Sequence, residues 1–250
     1  MNILGVIPAR YHSKRFEGKV IADLCGKPVV QWVWENVRAA RSIQRVVICT
    51  DDRRVARVVS GFGAEVLMTP ASLSSGTERI VYAVKKYKLR ADIVVNIQAD
   101  EPFLKPSDID ILAKLLKNEK KASVATLKTP LESDRTSVNV VKVVTDKKGY
   151  ALYFSRLPIP YIRDTMEFDA RKIRYYQHVG IYAYTRNFLK NFKKLASSAL
   201  EQAEKLEQLR FLENGYSIKV AEIAESFKGI DTPEDLKQAR RLMQKERNHA

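Results

Sequence analysis

The sequence predicts an α/β protein: a mostly parallel sheet flanked by helices, with an antiparallel-rich lobe. Three observations carry that reading. Across the first hundred residues, short apolar runs alternate with longer amphipathic ones, as repeated β-α units do. The run Ile93 to Ile97 is nearly all β-branched, as in a strand covered by helices on both faces. After about residue 130 the alternation gives way to short strands separated by turn residues.

Taken in order, Ile3 to Ile7 is a buried-strand run stopped by Pro8. In Gly26-Lys27-Pro28 the proline suits the first turn of a helix reaching about Ala40. Arg45 to Thr50 is the second strand; Asp51 or Asp52 can cap the next helix, and Gly61 or Gly63 can end it. Ala64 to Met68 is a third strand, Thr77 to Tyr87 a helix and Ile93 to Ile97 a fourth strand. Val138 to Val144 and Tyr150 to Phe154 flank Asp146-Lys147-Lys148-Gly149, a hairpin signal. Val179 to Tyr184 is another strand, and Glu201 to Glu213 a helix ended by Asn214-Gly215. Ile218 to Ile223 returns as a strand, and Pro233 opens a last polar helix. Neither a repeat nor a linker divides the chain, so residues 1–250 read as one domain with residues 130–215 as a lobe within it.

The chain has 250 residues, 45% hydrophobic and 29% charged, the balance of a globular protein with a real core. Forty-four Lys and Arg against 29 Asp and Glu leave a net charge of +15, which attracts nucleic acid, a membrane surface or a phosphorylated metabolite. Aromatics fall mostly within apolar runs and no nucleic-acid motif appears, which argues against a nucleic-acid partner. No apolar run approaches the ~20 residues of a membrane span. Met1 to Pro8 shows no basic leader or long apolar core, so a cytoplasmic protein is expected. Cys25 and Cys49 are too few for a disulfide framework, and His12, His178 and His249 too scattered for a zinc site.

Ligands of such a sheet gather at the carboxyl ends of its strands, and four segments there carry chemistry. After the first strand, Arg10, Lys14, Arg15 and Lys19 place four cations in ten residues; they form a solvated loop or a polyphosphate clamp. Backbone N–H groups near Pro8, Ala9 and Arg10 can meet a base or phosphate. No Walker loop or dinucleotide fingerprint is present, and Gly61-Phe62-Gly63 follows a helix. After the fourth strand, Gln98-Ala99-Asp100-Glu101-Pro102 offers a carboxylate that can cap a turn or hold Mg²⁺, which favours one or two carboxylates plus phosphate oxygens. Ser75-Gly76-Thr77-Glu78-Arg79 opens a helix whose free N–H groups suit an anion or a base carbonyl, with Thr77 as a cap. In Asp231-Thr232-Pro233-Glu234, Asp231 can cap the last helix in a capping-box arrangement and still offer an oxygen to a cation. Within the lobe, Arg156, His178, Tyr182, Glu207 and Gln208 are polar candidates. Glu204, Glu207 and Gln208 stand at i, i+3 and i+4, on one helical face.

In this order the segments resemble one family, the 3-deoxy-manno-octulosonate cytidylyltransferases. The resemblance covers Ile7-Pro8-Ala9-Arg10 through Gly18-Lys19, Gly26-Lys27-Pro28, Ser75 to Arg79 and Gln98 to Pro102. It continues through Val141 to Arg156, His178 to Tyr182, Leu206 to Arg210 and Asp231 to Leu236. Phe154-Ser155-Arg156 and Glu207-Gln208-Leu209-Arg210 separate this family from other nucleotidyltransferases of similar fold.

The resemblance implies a Rossmann-like, nucleotide-diphospho-sugar transferase-like fold and a Mg²⁺-dependent enzyme. It implies CMP transfer from CTP to the eight-carbon acid sugar Kdo, giving CMP-Kdo and pyrophosphate for lipopolysaccharide. It implies that Pro8, Ala9, Arg10, Ser75, Gly76 and Gln98 line the cytidine site, that Arg15 and Lys19 hold the triphosphate, and that Asp100 and Asp231 ligate metal. Arg79, Arg156, His178, Tyr182, Glu207 and Gln208 are implied for the sugar pocket, and a homodimer for the assembly. The sequence departs from the family's usual pattern at Ala99, at Lys14 and Glu17, and at Ser226-Phe227-Lys228 before Gly229. The alternatives are a cytidylyltransferase for 8-amino-Kdo or a sialic acid and, in another class, a basic nucleic-acid-binding protein.

Overall fold

Helix and strand follow the apolar periodicity closely through the first half of the chain. A computed structural model describes residues 1–163, 173–225 and 229–249. It forms two compact units, Met1–Ala113 with Phe227–Ala250, and Lys114–Ser226.

The first unit begins with β1 (Ile3–Pro8), the two-residue strands β2 (Asp23–Leu24) and β3 (Lys27–Pro28), and α1 (Val29–Ala39). There follow β4 (Arg45–Thr50), α2 (Arg53–Gly61), β5 (Glu65–Met68), α3 (Gly76–Lys86), β6 (Ile93–Asn96) and α4 (Pro106–Asn118), whose last residues belong to the second unit. Strands β6, β1, β4 and β5 lie side by side in that order, all parallel. β6 is buried throughout and β1 nearly so, as strands sandwiched between helices must be. Asp52 caps α2 by accepting from the Arg54 N–H at 2.7 Å. Ser75, rather than Thr77, caps α3, with its Oγ accepting from Glu78 N at 3.1 Å while Thr77 is buried in the first turn.

The second unit holds β7 (Val124–Pro130), β8 (Lys142–Thr145), β9 (Ala151–Ser155), β10 (Tyr176–Thr185), α5 (Arg186–Asn191), α6 (Ala199–Glu204), α7 (Glu207–Glu213) and β11 (Ile218–Glu222). β7 pairs parallel with β11 and antiparallel with β10, while β8 pairs antiparallel with both β10 and β9. This is the antiparallel-rich portion. The hairpin turns at Asp146–Gly149 as expected, Gly149 taking φ 78°, but its first strand begins at Lys142 rather than Val138.

One sequence expectation fails here. The stretch 201–213 is two helices, because Lys205 takes a left-handed φ of 55° and Leu206 is extended. Ser198 and Glu201 close a capping box that starts α6 early, Leu206 is buried at the break, and Arg210 bridges back to Glu201 at 2.7 and 2.6 Å. Glu204 therefore does not share a helical face with Glu207 and Gln208. Its carboxylate instead accepts from Ser155 Oγ at 2.8 Å and from Arg156 N at 2.9 Å. Neither α4 nor β7 is among the elements read from the sequence.

The last helix, α8 (Pro233–His249), returns to the first unit. Leu236, Ala239 and Met243 join Ile230, Leu24 and Val29 in one buried cluster, with Phe16, Trp32 and Phe103 packed against it. That burial fixes the segment carrying Asp231.

Candidate active site

The carboxyl ends of β1 and β6, the start of α3 and the entry to α8 converge within the first unit. Ala9 is buried and continues the β1 ladder, its N–H donating to Cys49 O at 2.8 Å. Beyond it opens a cavity of about 270 Å³ whose lining includes Pro8, Arg10, Ser13, Lys19, Ser75, Gly76, Gln98 and Asp100. Gly76 lies against the Pro8 ring, where a Cβ would come 3.5 Å from Cγ, an ordinary van der Waals contact between the α3 N-terminus and the end of β1. Arg10 donates to the Leu73 carbonyl. Burial, and then the like charge of Arg79, holds the Arg10 pKa below its ordinary value.

At the rim, Lys19 lies between two carboxylates. Its ammonium donates to Asp100 Oδ2 and, at 2.8 Å, to Asp231 Oδ1, while Arg15 meets Asp231 Oδ2 at 2.8 Å. Burial would lower the Lys19 pKa, yet Asp100 and then Asp231 outweigh it and the net shift is upward. Ile230 N donates to Asp100 O at 2.8 Å, which joins the two acid-bearing segments through their backbones. Asp231 does not cap α8. Thr232 Oγ1 accepts from Asp235 N at 3.1 Å, and Asp235 Oδ2 returns to Thr232 N at 2.9 Å, a reciprocal cap one residue later than the sequence suggested. The cap thus leaves the Asp231 carboxylate to the cations.

Sequence reasoning did not single out Glu101. Burial, then the charges of Asp100 and Asp231, pushes its carboxyl up to about 8 against the opposing pull of Lys19. Its place beside Asp100 in the quoted motif was the available signal. Of the departures noted above, Ala99 is buried and lines the cavity, and Glu17 pairs with His12 at 3.0 Å. Ser226, Phe227 and Lys228 lie outside the described residues.

Asp100 and Asp231 fit a divalent cation by donor chemistry. Two hard carboxylates already converge on one positive centre, the Lys19 ammonium. Among the described residues, no group of three or more His, Cys, Asp or Glu side chains could hold a metal. An ion at these two acids would therefore need oxygens from a ligand, the usual habit of magnesium.

A family model described as cytidylyltransferase matches residues 4–223. The curated 3-deoxy-manno-octulosonate cytidylyltransferase of Geotalea uraniireducens is 46% identical, over 98% of this chain and 100% of its own length. That of Geobacter sulfurreducens is 47% identical, over 94% of this chain and 97% of its own. The chain belongs to the 3-deoxy-manno-octulosonate cytidylyltransferase family. The solved structure of CMP:2-keto-3-deoxy-manno-octonic acid synthetase complexed with CTP matches with a TM-score of 0.93 and 41% identity, over 98% of this chain and 100% of that one. An inositol-1-phosphate CTP transferase from T. maritima shares the fold at a TM-score of 0.68 and 15% identity.

The remaining candidates of this cytidylyltransferase fall in different places. Arg79 belongs to the first unit and is wholly buried, held by Asp51 at 2.9 Å and by the Thr69 hydroxyl. In the second unit, Arg156 follows β9 and donates to the carbonyls of Glu204 at 2.7 Å and Val138 at 2.9 Å. His178 and Tyr182 lie along β10 on either side of a bulge, their ring centroids 5.4 Å apart. His178 is buried, and that burial pushes its pKa down to about 3. Its Nε2 stands 2.9 Å from Thr126 Oγ1, which also lies 2.8 Å from the Ile181 carbonyl. The Ile181 carbonyl and, at 3.1 Å, the Val179 carbonyl can only accept, so with the hydroxyl proton given to one of them the neutral imidazole donates from Nε2. Glu207 and the buried Gln208 open α7, which packs against β9.

Proposed function

We propose that this cytidylyltransferase transfers the CMP moiety of CTP to the anomeric hydroxyl of 3-deoxy-manno-octulosonate, releasing pyrophosphate and giving CMP-Kdo for lipopolysaccharide. The hydroxyl oxygen forms a bond to the α-phosphorus, the bond from that phosphorus to the bridging oxygen breaks, and the hydroxyl proton leaves to solvent. Both substrates are anions, so the protein's main work is to offset repulsion and align the displacement.

The observation that carries the reading is the meeting of Lys19, Arg15, Asp100 and Asp231 at the rim of a cavity lined by Arg10, Ser75, Gly76 and Gln98. Pro8, Ala9, Arg10, Ser75, Gly76 and Gln98 take the cytidine end of CTP, and Arg15 and Lys19 take its phosphates. Asp100 and Asp231 would hold magnesium, which would supply charge neutralisation and acidify a hydroxyl bound to it. Arg156, His178, Tyr182, Glu207 and Gln208 serve the acid sugar, whereas Arg79, wholly buried against Asp51 and Thr69, supports the first unit instead. His178, neutral and buried, orients rather than takes a proton.

The enzyme works as a homodimer joined through the second unit, a reading supported by exposed Leu152, Leu157 and Tyr161 there. It acts in the cytoplasm beside its nucleotide substrate; no described helix is long and apolar enough to cross a membrane. Pyrophosphate release from CTP and Mg²⁺ with Kdo, 8-amino-Kdo and a sialic acid tests the reading. Kdo is expected to give the highest kcat/KM, and equal or better turnover of another sugar would overturn the substrate assignment.

A further inference from the structure

The segment from Arg10 to Lys19 carries the triphosphate-facing cations, yet before Lys19 it contains no helix or strand. Its far side is anchored where Phe16 packs against the cluster shared with α8. Its near side is anchored by Tyr11. The Arg54 guanidinium lies over the Tyr11 ring, 3.4 Å from the centroid. The ring's edge lies against Gly18, where a Cβ would come 3.1 Å from Cε2. Gly18 N donates to Tyr11 O at 2.8 Å and closes the loop immediately before Lys19, with Gly18 at φ 69°. Arg54 is itself held by Asp52, the cap of α2, through contacts of 2.7 and 3.0 Å. A rigid helix end thus grips the ring, and the ring grips the turn that aims Lys19.

We propose that Arg54 and Tyr11 are positioning residues for the triphosphate: their stacked contact fixes the 11–18 loop so that Arg15 and Lys19 meet the β- and γ-phosphates together. The proposal rests on the CTP reading above. Arg54 touches no substrate in this scheme, because its charge is matched by Asp52 and its face is covered by Tyr11. Loss of either partner leaves the cytidine-facing residues of β1 and α3 in place and loosens only the grip on the phosphates.

The test compares CTP with CMP binding by calorimetry for wild type, Arg54→Ala, Tyr11→Leu, the double variant, Arg54→Lys and Tyr11→Phe, each checked for an unchanged thermal midpoint. Arg54→Ala and Tyr11→Leu are each expected to weaken CTP about 2- to 5-fold, the range of an exposed cation–π contact, and to leave CMP affinity unchanged. The double variant is expected to lose no more than either single one, and Arg54→Lys and Tyr11→Phe to retain most of the affinity. An unchanged ratio of CTP to CMP affinity overturns the proposal. So do additive losses, which would mean that Arg54 meets phosphate on its own. A wild type that binds neither nucleotide refutes the CTP reading instead, so the two failures are distinct.

Discussion

Ile230 donates its backbone N–H to the carbonyl of Asp100 at 2.8 Å. That bond ties the segment of Asp231 to Asp100 although α4 and the whole second unit intervene in the chain. Gly229 allows the approach, since a Cβ there would come 3.3 Å from Asp100 O. The two acid-bearing segments are thus joined through their backbones as well as through Lys19.

Asp100→Ala and Asp231→Ala are each expected to lower kcat by about 10² or more, from lost transition-state stabilisation. Steady-state pyrophosphate release at saturating Mg²⁺ checks it, and near-normal turnover of either variant would refute the metal assignment. Because Thr232 holds the cap, Asp231→Ala should leave the denaturation midpoint almost unchanged, whereas Thr232→Val should cost about 1 kcal/mol.

Lys19 occupies the point where the two carboxylates converge, so a divalent cation must displace it. Lys19→Met is expected to raise nucleotide-free Mn²⁺ affinity by roughly tenfold, equal to about 1.4 kcal/mol of removed competition, while weakening CTP. Titration followed by Mn²⁺ paramagnetic resonance reads this without turnover. Unchanged affinity would show that the ammonium does not compete.

His178 gives a pH signature. Its pKa falls from 6.5 to about 3 on folding, so between those values the unfolded chain holds more protons than the folded one. The stability it contributes is complete above pH 6.5 and is lost as pH falls toward 3, by about 1.4 kcal/mol per unit. Denaturant titrations at pH values down to about 4 should show His178→Gln losing less stability with acid than wild type. Parallel curves would contradict a neutral buried imidazole.

Arg79 is wholly buried beside Asp51, which makes its removal a test of structure rather than of turnover. Arg79→Met is expected to destabilise by about 3–5 kcal/mol, because the Asp51 carboxylate is left without its partner. Urea unfolding measures this. A change within about 0.5 kcal/mol, with the KM for sugar raised, would instead place Arg79 with the substrate.

The parallel sheet was legible because β1, β4 and β6 are unbroken apolar runs, and the loop cations because they follow a strand end directly. The broken helix at Lys205 was not, since no glycine or proline marks a left-handed residue there and the periodicity continues across it. Asp231 read as a cap because Asp, Pro233 and Glu234 satisfy the pattern, and only coordinates show Thr232 and Asp235 taking the role. The α4 pattern of Ile109, Leu112, Ala113 and Leu116 after Pro106 is helical in period and carries its own start signal. The meeting of Lys19 with Asp231, 212 residues on, depends on long-range packing that no local motif encodes.

The first unit is assembled from two stretches of chain, with the second unit's sequence between them. During synthesis Lys19 and Asp100 leave the ribosome early, and Asp231 follows only after every strand of β7 to β11 has emerged. The nascent nucleotide pocket therefore spends most of translation one carboxylate short, with Leu24 and Val29 still waiting for their α8 partners. The pairing of Lys19 with Asp231 arrives together with the sealing of that apolar cluster, so a chain with both acids on Lys19 is one whose folding has closed.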